Sequence, residues 1–202
     1  MGNKYFVNSL FFLITTFLLL ASYSYSSENQ NVVAFGDQNA KIKIKVFSSL
    51  TCPHCATFHK KIIKKLEKEF VEKKIVRFEH HGFPLDIAAL NAEKMLRCSN
   101  DINKRLSFLD EIYEKQDVWA SGNDINSINS KLIKIAKNYG LNDDMISGCL
   151  NNEELENQIL DSRIDGNKKY SIDSTPTILI NEKKYDGKHN YEAFRKAIKN
   201  LL

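Results

Sequence analysis

The chain has 202 residues, of which 43% are hydrophobic and 27% are charged, and its formal net charge is +4. This length suits one domain with a sizeable core, or one domain with an insertion, because two independent domains would each be small. The composition, with only three prolines, excludes long disordered stretches. The positive charge is dispersed, and lysine runs such as that from Lys60 to Lys65 take the polar positions of a helix, so we expect no nucleic-acid partner.

Residues 1–26 have the pattern of a secretory signal peptide. Lys4 precedes an apolar run from about Tyr5 to Ala21, and small polar residues follow, with cleavage expected between Ser24 and Ser27. The alternative is an uncleaved membrane anchor, although polar residues interrupt the run and its length is at the lower limit for spanning a bilayer. Either way, we expect the rest of the chain to be exported to a compartment where disulfides persist.

The segment from Lys41 to Glu79 predicts a strand, a helix and a second strand. In KIKIKVF, which starts at Lys41, apolar residues alternate with lysines, as in a strand with one buried face. After it, an apolar residue recurs every four positions, at Phe58, Ile62, Leu66 and Phe70. This spacing predicts an amphipathic helix. The second strand, Ile75 to Glu79, would run parallel to the first after a right-handed crossover.

Helical spacing replaces alternation between Pro84 and about Ser171, which predicts an all-helical insertion of five helices. Asp86 and Asp124 are placed to cap two of these helices, and Gly140 is placed to end one. The chain then returns to strand over residues 177–180, turns at 181–183, and ends in a helix over residues 191–202.

The motif CPHC stands where the first predicted strand leads into the helix. A thiol at a helix start lies near unpaired backbone N–H groups and the positive end of the helix dipole, which stabilise its thiolate. We therefore expect Cys52 to attack and Cys55, one turn further in, to resolve the mixed disulfide. Pro53 suits the first helical turn, and His54 adds a polarisable ring beside the thiolate.

Two other interpretations of CPHC remain open. With His59 it has the spacing of half a zinc site, but a structural zinc needs a fourth ligand, and the other histidines show no motif spacing. It could also be a plain structural disulfide. We favour the redox pair, and expect no metal and no cofactor beyond the Cys52–Cys55 disulfide itself.

Several segments together resemble the DsbA-like thiol:disulfide oxidoreductases of the thioredoxin superfamily. They are FSSLTCPHC, GFPLD, Arg97-Cys98, the stretch with Tyr113, Gln116 and Trp119, and STPTILIN. The resemblance implies an α/β thioredoxin fold, over residues 32–84 and 172–202, with an all-helical subdomain inserted at 85–171. It also implies a cis peptide at Thr175-Pro176 that faces the cysteines and exposes backbone to an extended substrate. An ordinary trans proline is the alternative.

One departure from the family pattern concerns Val46, six residues before Cys52. Thioredoxin-like proteins often have a buried acid there, which helps to move the proton of the second cysteine. Glu79 is a candidate substitute, although an exposed surface carboxylate is the plainer interpretation. His80 and His81 are interpreted as surface or structural residues.

The resemblance implies a periplasmic oxidase that introduces disulfide bonds into reduced, unfolded exported polypeptides. We expect a monomer that is reoxidised by a DsbB-like membrane partner. The main alternative is a disulfide isomerase or reductase of the same superfamily, but residues 27–40 leave no room for the N-terminal dimerisation domain that such isomerases usually carry. Further alternatives are a periplasmic metal-binding chaperone and a peptide-binding chaperone.

The two other cysteines, Cys98 and Cys149, lie on apolar stretches of predicted helices. With CPHC pairing internally, they are the only cysteines left, so we expect a structural disulfide between them. Two buried free thiols are the alternative.

Overall fold

The computed structural model describes residues 32–99 and 101–202, and the predicted signal peptide lies outside them. The strands are β1 (Val33–Phe35), β2 (Ile42–Ser48), β3 (Val76–Gly82), β4 (Thr177–Ile180) and β5 (Lys183–Lys184). The helices are α1 (residues 53–71), α2 (Ile87–Cys98), α3 (Ile102–Glu114), α4 (Gln116–Trp119), α5 (Ile125–Asn138), α6 (Asp143–Leu150), α7 (Glu153–Tyr170) and α8 (Tyr191–Lys199). Across these two ranges, no helix combines the length and apolar character that a membrane crossing needs.

The strands form one mixed sheet in the order β1-β3-β2-β4-β5. Strands β2 and β3 are parallel, as predicted, and β4 runs antiparallel to β2 on its other side. Strand β3 continues past the predicted end at Glu79, through His80 and His81 to Gly82. The sequence pattern does not predict β1, because a strand of three residues is too short to show alternation.

Helix α1 contains two π-helical turns, at His59–Ile63 and Glu67–Val71, between α-helical turns. An α-helix has 3.6 residues per turn, so a stripe of apolar residues at a strict spacing of four would drift around it. The wider π turns compensate for this drift. As a result, all four predicted stripe residues are buried: Phe58, Ile62, Leu66 and Phe70.

The inserted helices, α2 to α7, lie between β3 and β4 in the chain. The predicted caps are confirmed, because Asp86 accepts from the Ala89 N–H and Asp124 from the Ser127 N–H. Gly140 follows α5 with a φ of +88°, which suits glycine as its stop. The predicted last helix is too long, because α8 ends at Lys199 and the last three residues lie outside it.

A disulfide joins Cys98, at the end of α2, to Cys149 in α6, with the two Cα atoms 6.1 Å apart. Cys149 is buried, and Cys98 is partly buried and packs against the apolar core that contains Trp119 and Tyr113. The bond therefore ties together two helices through cysteines that are 51 residues apart in the chain.

We expect the double variant Cys98→Ala/Cys149→Ala to have a lower free energy of unfolding than wild type. The chain-entropy model gives a loss of about 4 kcal/mol for a closed loop of this length. Denaturant unfolding followed by circular dichroism measures the loss. Both proteins are unfolded with the Cys52–Cys55 pair oxidised, so that they differ only in the bond between Cys98 and Cys149; equal midpoints would contradict the prediction.

Candidate active site

The end of strand β2 delivers Cys52 to the start of helix α1. Cys52 is the N-cap residue, with extended backbone (φ −77°, ψ 119°), and Pro53 follows at the first helical position. The Cys52 carbonyl accepts the first helical hydrogen bond, from the Ala56 N–H at 3.1 Å. The thiols of Cys52 and Cys55 are free and buried, with Cys52 9% exposed and Cys55 1% exposed. Cys52 is thus the more accessible of the pair.

The loop before strand β4 closes the other side of the cysteines. The peptide bond between Thr175 and Pro176 is cis, as the family resemblance implies. The Cys52 Sγ atom lies 3.5 Å from the Thr175 carbonyl oxygen, which accepts from it when Cys52 is protonated. The Thr175 hydroxyl is buried and has no hydrogen-bond partner. Such a hydroxyl can turn its hydrogen toward whichever of the two sulfurs is negatively charged.

The two thiols have opposite pKa shifts. The interaction with the Cys55 thiol is the largest cause that lowers the pKa of Cys52, to about 5, against the opposing effect of burial. The Thr175 side chain and the backbone N–H groups of Cys55 and His54 lower it further. The interaction with Cys52, together with burial, raises the pKa of Cys55 far above its ordinary value. At neutral pH, Cys52 is therefore a thiolate and Cys55 a thiol.

The side chains of Pro53 and His54 are both exposed. The His54 ring lines an open groove of about 300 Å³ together with Thr175, Pro176 and His189. The residues predicted for the redox site are thus brought together, whereas Cys98 and Cys149 form their disulfide between two of the inserted helices.

Glu79 and His80 lie on the strand beside Val46, and Glu79 is less exposed than the sequence-based interpretation predicts. Glu79 is half-buried rather than exposed, because it pairs with Arg77 at 3.4 Å and with His81 at 3.1 Å. His80 is buried and shares a hydrogen bond of 2.6 Å with the Glu93 carboxylate. The polar group nearest in register to Val46 is therefore a histidine, since the two residues are partners in the parallel ladder of β2 and β3.

His59, the third ligand of the hypothetical half zinc site, is bonded instead to the Asp110 carboxylate at 2.7 Å. Burial lowers the pKa of His59, although Asp110 opposes this shift. Within residues 32–99 and 101–202, no three histidine, cysteine or acidic side chains are grouped so that they could hold a metal ion.

Gln116 is a site residue to which the sequence analysis assigns no role. It is buried at the start of α4, and its amide donates to the carbonyls of Leu50 at 2.8 Å and Cys52 at 3.0 Å. These bonds fix the turn that carries Cys52. In the sequence, Gln116 is only a polar residue three positions before a tryptophan, and this spacing is too common to indicate a role.

A family model described as thioredoxin matches residues 28–200 of the chain. With the sheet order and the position of CPHC, this match means that the chain belongs to the thioredoxin family, and the expected thioredoxin fold with inserted helices is confirmed. The crystal structure of Wolbachia pipientis alpha-DsbA1 has the same fold, with a TM-score of 0.77 at 24% identity over 85% of this chain and 90% of that one.

Curated relatives agree with this assignment. The chain is 25% identical over 153 residues to a putative protein-disulfide oxidoreductase of Rickettsia bellii, an alignment that covers 76% of this chain and 58% of that protein. It is 25% identical over 176 residues to disulfide bond formation protein D of Bacillus subtilis, over 83% of this chain and 75% of that protein. The chain thus spans less than two thirds of the Rickettsia relative.

Titration of the reduced protein should show one thiol with a pKa of about 5, read from ultraviolet thiolate absorbance. In Cys55→Ala the pKa of Cys52 should rise toward the ordinary value of about 8.5, because its largest stabilising partner is lost. Cys52→Ala is the matched control and should show no group titrating near pH 5. An ordinary pKa for Cys52 in the wild type would contradict the assignment of Cys52 as nucleophile.

The same shift predicts how the stability of the reduced protein depends on pH. The pKa of Cys52 is lower in the folded state, so its stabilisation is complete above the unfolded value of about 8.5. It declines below that pH and is lost as the pH falls through about 5. Unfolding of the reduced protein across this range measures the effect, and Cys52→Ala should lack it.

We expect Gln116→Ala to lower the free energy of unfolding by about 2 kcal/mol, because the buried Leu50 carbonyl loses its amide donor and the Cys52 carbonyl keeps only the Ala56 N–H. Asp117→Ala, at the exposed neighbouring position, is the control and should change it by less than about 0.5 kcal/mol. Denaturant unfolding of both variants decides the point, and equal small effects would show that the Gln116 amide does not hold the turn.

Proposed function

We propose that this chain is an exported thiol:disulfide oxidoreductase that acts mainly as an oxidase, introducing disulfide bonds into reduced, unfolded polypeptides in the periplasm. The observation that carries the proposal is the opposite pKa shift of the two active-site thiols, which favours a Cys52 thiolate. A stabilised thiolate favours the reduced protein and so makes the disulfide form oxidising. The disulfide between Cys98 and Cys149 supports export, because such bonds persist in oxidising compartments.

In the proposed reaction, a substrate thiolate attacks Cys52 of the Cys52–Cys55 disulfide, and Cys55 leaves. A second substrate thiolate then attacks the substrate sulfur of the mixed disulfide, and Cys52 leaves as the thiolate. The substrate loses two electrons and gains a disulfide, while CPHC becomes a dithiol. A DsbB-like membrane partner would accept those electrons and restore the disulfide. A low leaving-group pKa at Cys52 speeds the second step.

Three exposed apolar side chains surround the active-site turn and supply a surface for unfolded chains: Leu85, Ile87 and Val118, which are 52%, 55% and 58% exposed. The first two flank Asp86, whose carboxylate accepts from the Thr51 hydroxyl at 2.7 Å. Val118 lies in α4, which Gln116 ties to the same turn. In the proposed domain division, with the insertion at 85–171, all three belong to the insertion, whereas the redox pair belongs to the thioredoxin domain.

Apolar contacts of this kind recognise unfolded segments without requiring a particular sequence. The open groove beside Pro176 gives the substrate backbone room next to the sulfurs. A broad range of cysteine-containing polypeptides is therefore the substrate class that these surfaces fit. The monomeric state and the membrane partner stay predictions.

Two assays distinguish an oxidase from an isomerase. The oxidised protein should oxidise a reduced, unfolded substrate faster than the reduced protein rearranges a scrambled one. The reduction potential, measured against glutathione, should lie above the thioredoxin value of about −270 mV. Efficient rearrangement combined with poor oxidation would overturn the proposal in favour of the isomerase.

Thr175→Val removes the buried hydroxyl beside the two sulfurs. Since the Thr175 side chain lowers the pKa of Cys52, the variant should have a higher pKa at Cys52 and a more negative reduction potential. A rise of one pKa unit corresponds to about 1.4 kcal/mol, or about 30 mV. Thr57→Val, at an exposed position of α1, is the control, and a potential unchanged in Thr175→Val would refute this role of the hydroxyl.

A further inference from the structure

A small cavity lies between Cys55 and the sheet. Its lining includes Cys55, Val46, Ser48, His80 and Tyr113, and it has about 10 Å³ of free volume. That volume is about enough for one water molecule, provided that polar groups face it. The Tyr113 hydroxyl is such a group, because it is buried and has no hydrogen-bond partner.

His80 occupies the side of this cavity formed by β3. It is the ladder partner of Val46, so the two side chains project from the same face of the sheet. The ring of His80 meets the ring of Tyr113 edge-on, with centroids 6.3 Å apart. His80 is 6% exposed and its Nε2 atom shares a hydrogen bond with Glu93. The histidine is therefore held in one orientation beside the cavity.

Glu93 is fully buried, and the fold makes room for its carboxylate at Gly82. A Cβ atom at position 82 would lie 2.6 Å from the Glu93 carboxyl carbon, so only glycine fits there without displacing the carboxylate. Arg97 lies 3.6 Å from the second carboxylate oxygen. Burial raises the pKa of Glu93, but His80 and Arg97 more than offset this effect, and the pKa is lowered. A buried carboxylate is thus held at the His80 ring, with its Oε1 atom 2.6 Å from Nε2.

Cys55 needs a partner of this kind because it must change its protonation state in every catalytic cycle. Its raised pKa makes it a thiol at neutral pH. Cys55 must therefore lose its proton before it attacks a disulfide, and it must gain a proton after it leaves one. Burial slows proton exchange between Cys55 and bulk solvent at neutral pH, since Cys55 is 1% exposed. The acid that often serves thioredoxin-like proteins is replaced by Val46.

We propose that His80, held by Glu93, exchanges the proton of Cys55 through the cavity during thiol–disulfide exchange. When the protein oxidises a substrate, the substrate thiolate attacks Cys52, the Cys52–Cys55 bond breaks, and the leaving Cys55 thiolate takes a proton from the His80 imidazolium. In the reverse direction, neutral His80 accepts the Cys55 proton, and the Cys55 thiolate attacks Cys52 and displaces the substrate thiolate. In this proposal the proton passes between His80 and Cys55 through a water molecule in the cavity. His80 does not touch the reacting sulfur, so it is a positioning residue. This inference rests on the proposed function.

The charged and titratable groups around His80 come from four elements. They are Glu79 and His81 on β3, Cys55 and His59 on α1, Glu93 and Arg97 on α2, and Asp110 and Tyr113 on α3. His59 is the rival candidate, since it lines the same cavity and also pairs with a carboxylate. However, Lys64 lies 2.9 Å from Asp110, and burial lowers the pKa of His59. His59 also lines an open surface groove together with Asp110 and Lys64, on which its carboxylate partner lies.

Stopped-flow reaction of the reduced protein with an aromatic disulfide isolates the two steps. Attack by Cys52 releases the first aromatic thiolate, and attack by Cys55 on the mixed disulfide releases the second. In His80→Gln, the second phase should be slower by about tenfold or more at neutral pH, whereas the first should stay within about twofold of wild type. The defect should shrink at alkaline pH, because hydroxide then removes the Cys55 proton in both proteins.

Two further variants sharpen the test. His59→Gln is the matched control and should keep both phases within about twofold of wild type. Glu93→Gln retains the shape but removes the carboxylate that holds the His80 ring, so it should slow the second phase with the same pH signature. It also serves as the test if His80→Gln does not fold, as judged by circular dichroism.

Each other outcome has a defined meaning. A second phase of normal rate in both His80→Gln and Glu93→Gln overturns the inference, as does a defect that is equal at all pH values or larger in His59→Gln. If the wild type shows no first phase, thiol–disulfide exchange itself fails and the proposed function falls. A normal first phase with an unaltered second phase refutes only the role of His80.

Discussion

The central position of strand β2 determines which groups can meet at the cysteines. Its backbone pairs with β3 on one side, in parallel, and with β4 on the other, antiparallel. Because β4 runs in the opposite direction, the start of β4 lies at the edge where β2 ends, and Thr175 comes within reach of Cys52. The parallel pairing with β3 places His80 beside Val46, below Cys55. One strand thus sets both the substrate side of the redox pair and its buried side.

The redox pair is predictable from sequence because every signal for it is local. CPHC lies between an alternating strand and a helix with a regular apolar stripe, and this order alone places Cys52 at a helix start. Caps such as Asp86 are also local, since the side chain bonds to a backbone N–H three residues ahead. The cis bond before Pro176 follows from family resemblance, because an X-Pro bond in sequence does not reveal its isomer.

The buried polar groups are harder to predict because their partners are distant in sequence. Gln116 bonds to carbonyls 64 and 66 residues away, and nothing in its local pattern marks it. Glu93 does leave a trace, because it stands with Ala89 and Leu96 on the apolar stripe of α2, where a carboxylate is unexpected. A charged residue at such a position predicts a buried partner without identifying it. Identifying His80 requires the register of β3 against β2, which sequence periodicity does not give.

The disulfide between Cys98 and Cys149 has a consequence for how the protein matures. A protein that makes disulfides for other chains would itself arrive in the export compartment with these two cysteines reduced, since the bond joins segments 51 residues apart and forms as the chain folds. Under the proposed function, each new copy would be a substrate of the copies made before it. Production of the mature protein would accordingly be self-reinforcing, and a cell that lost its last oxidised copies would restart slowly, from whatever other oxidant reached the compartment.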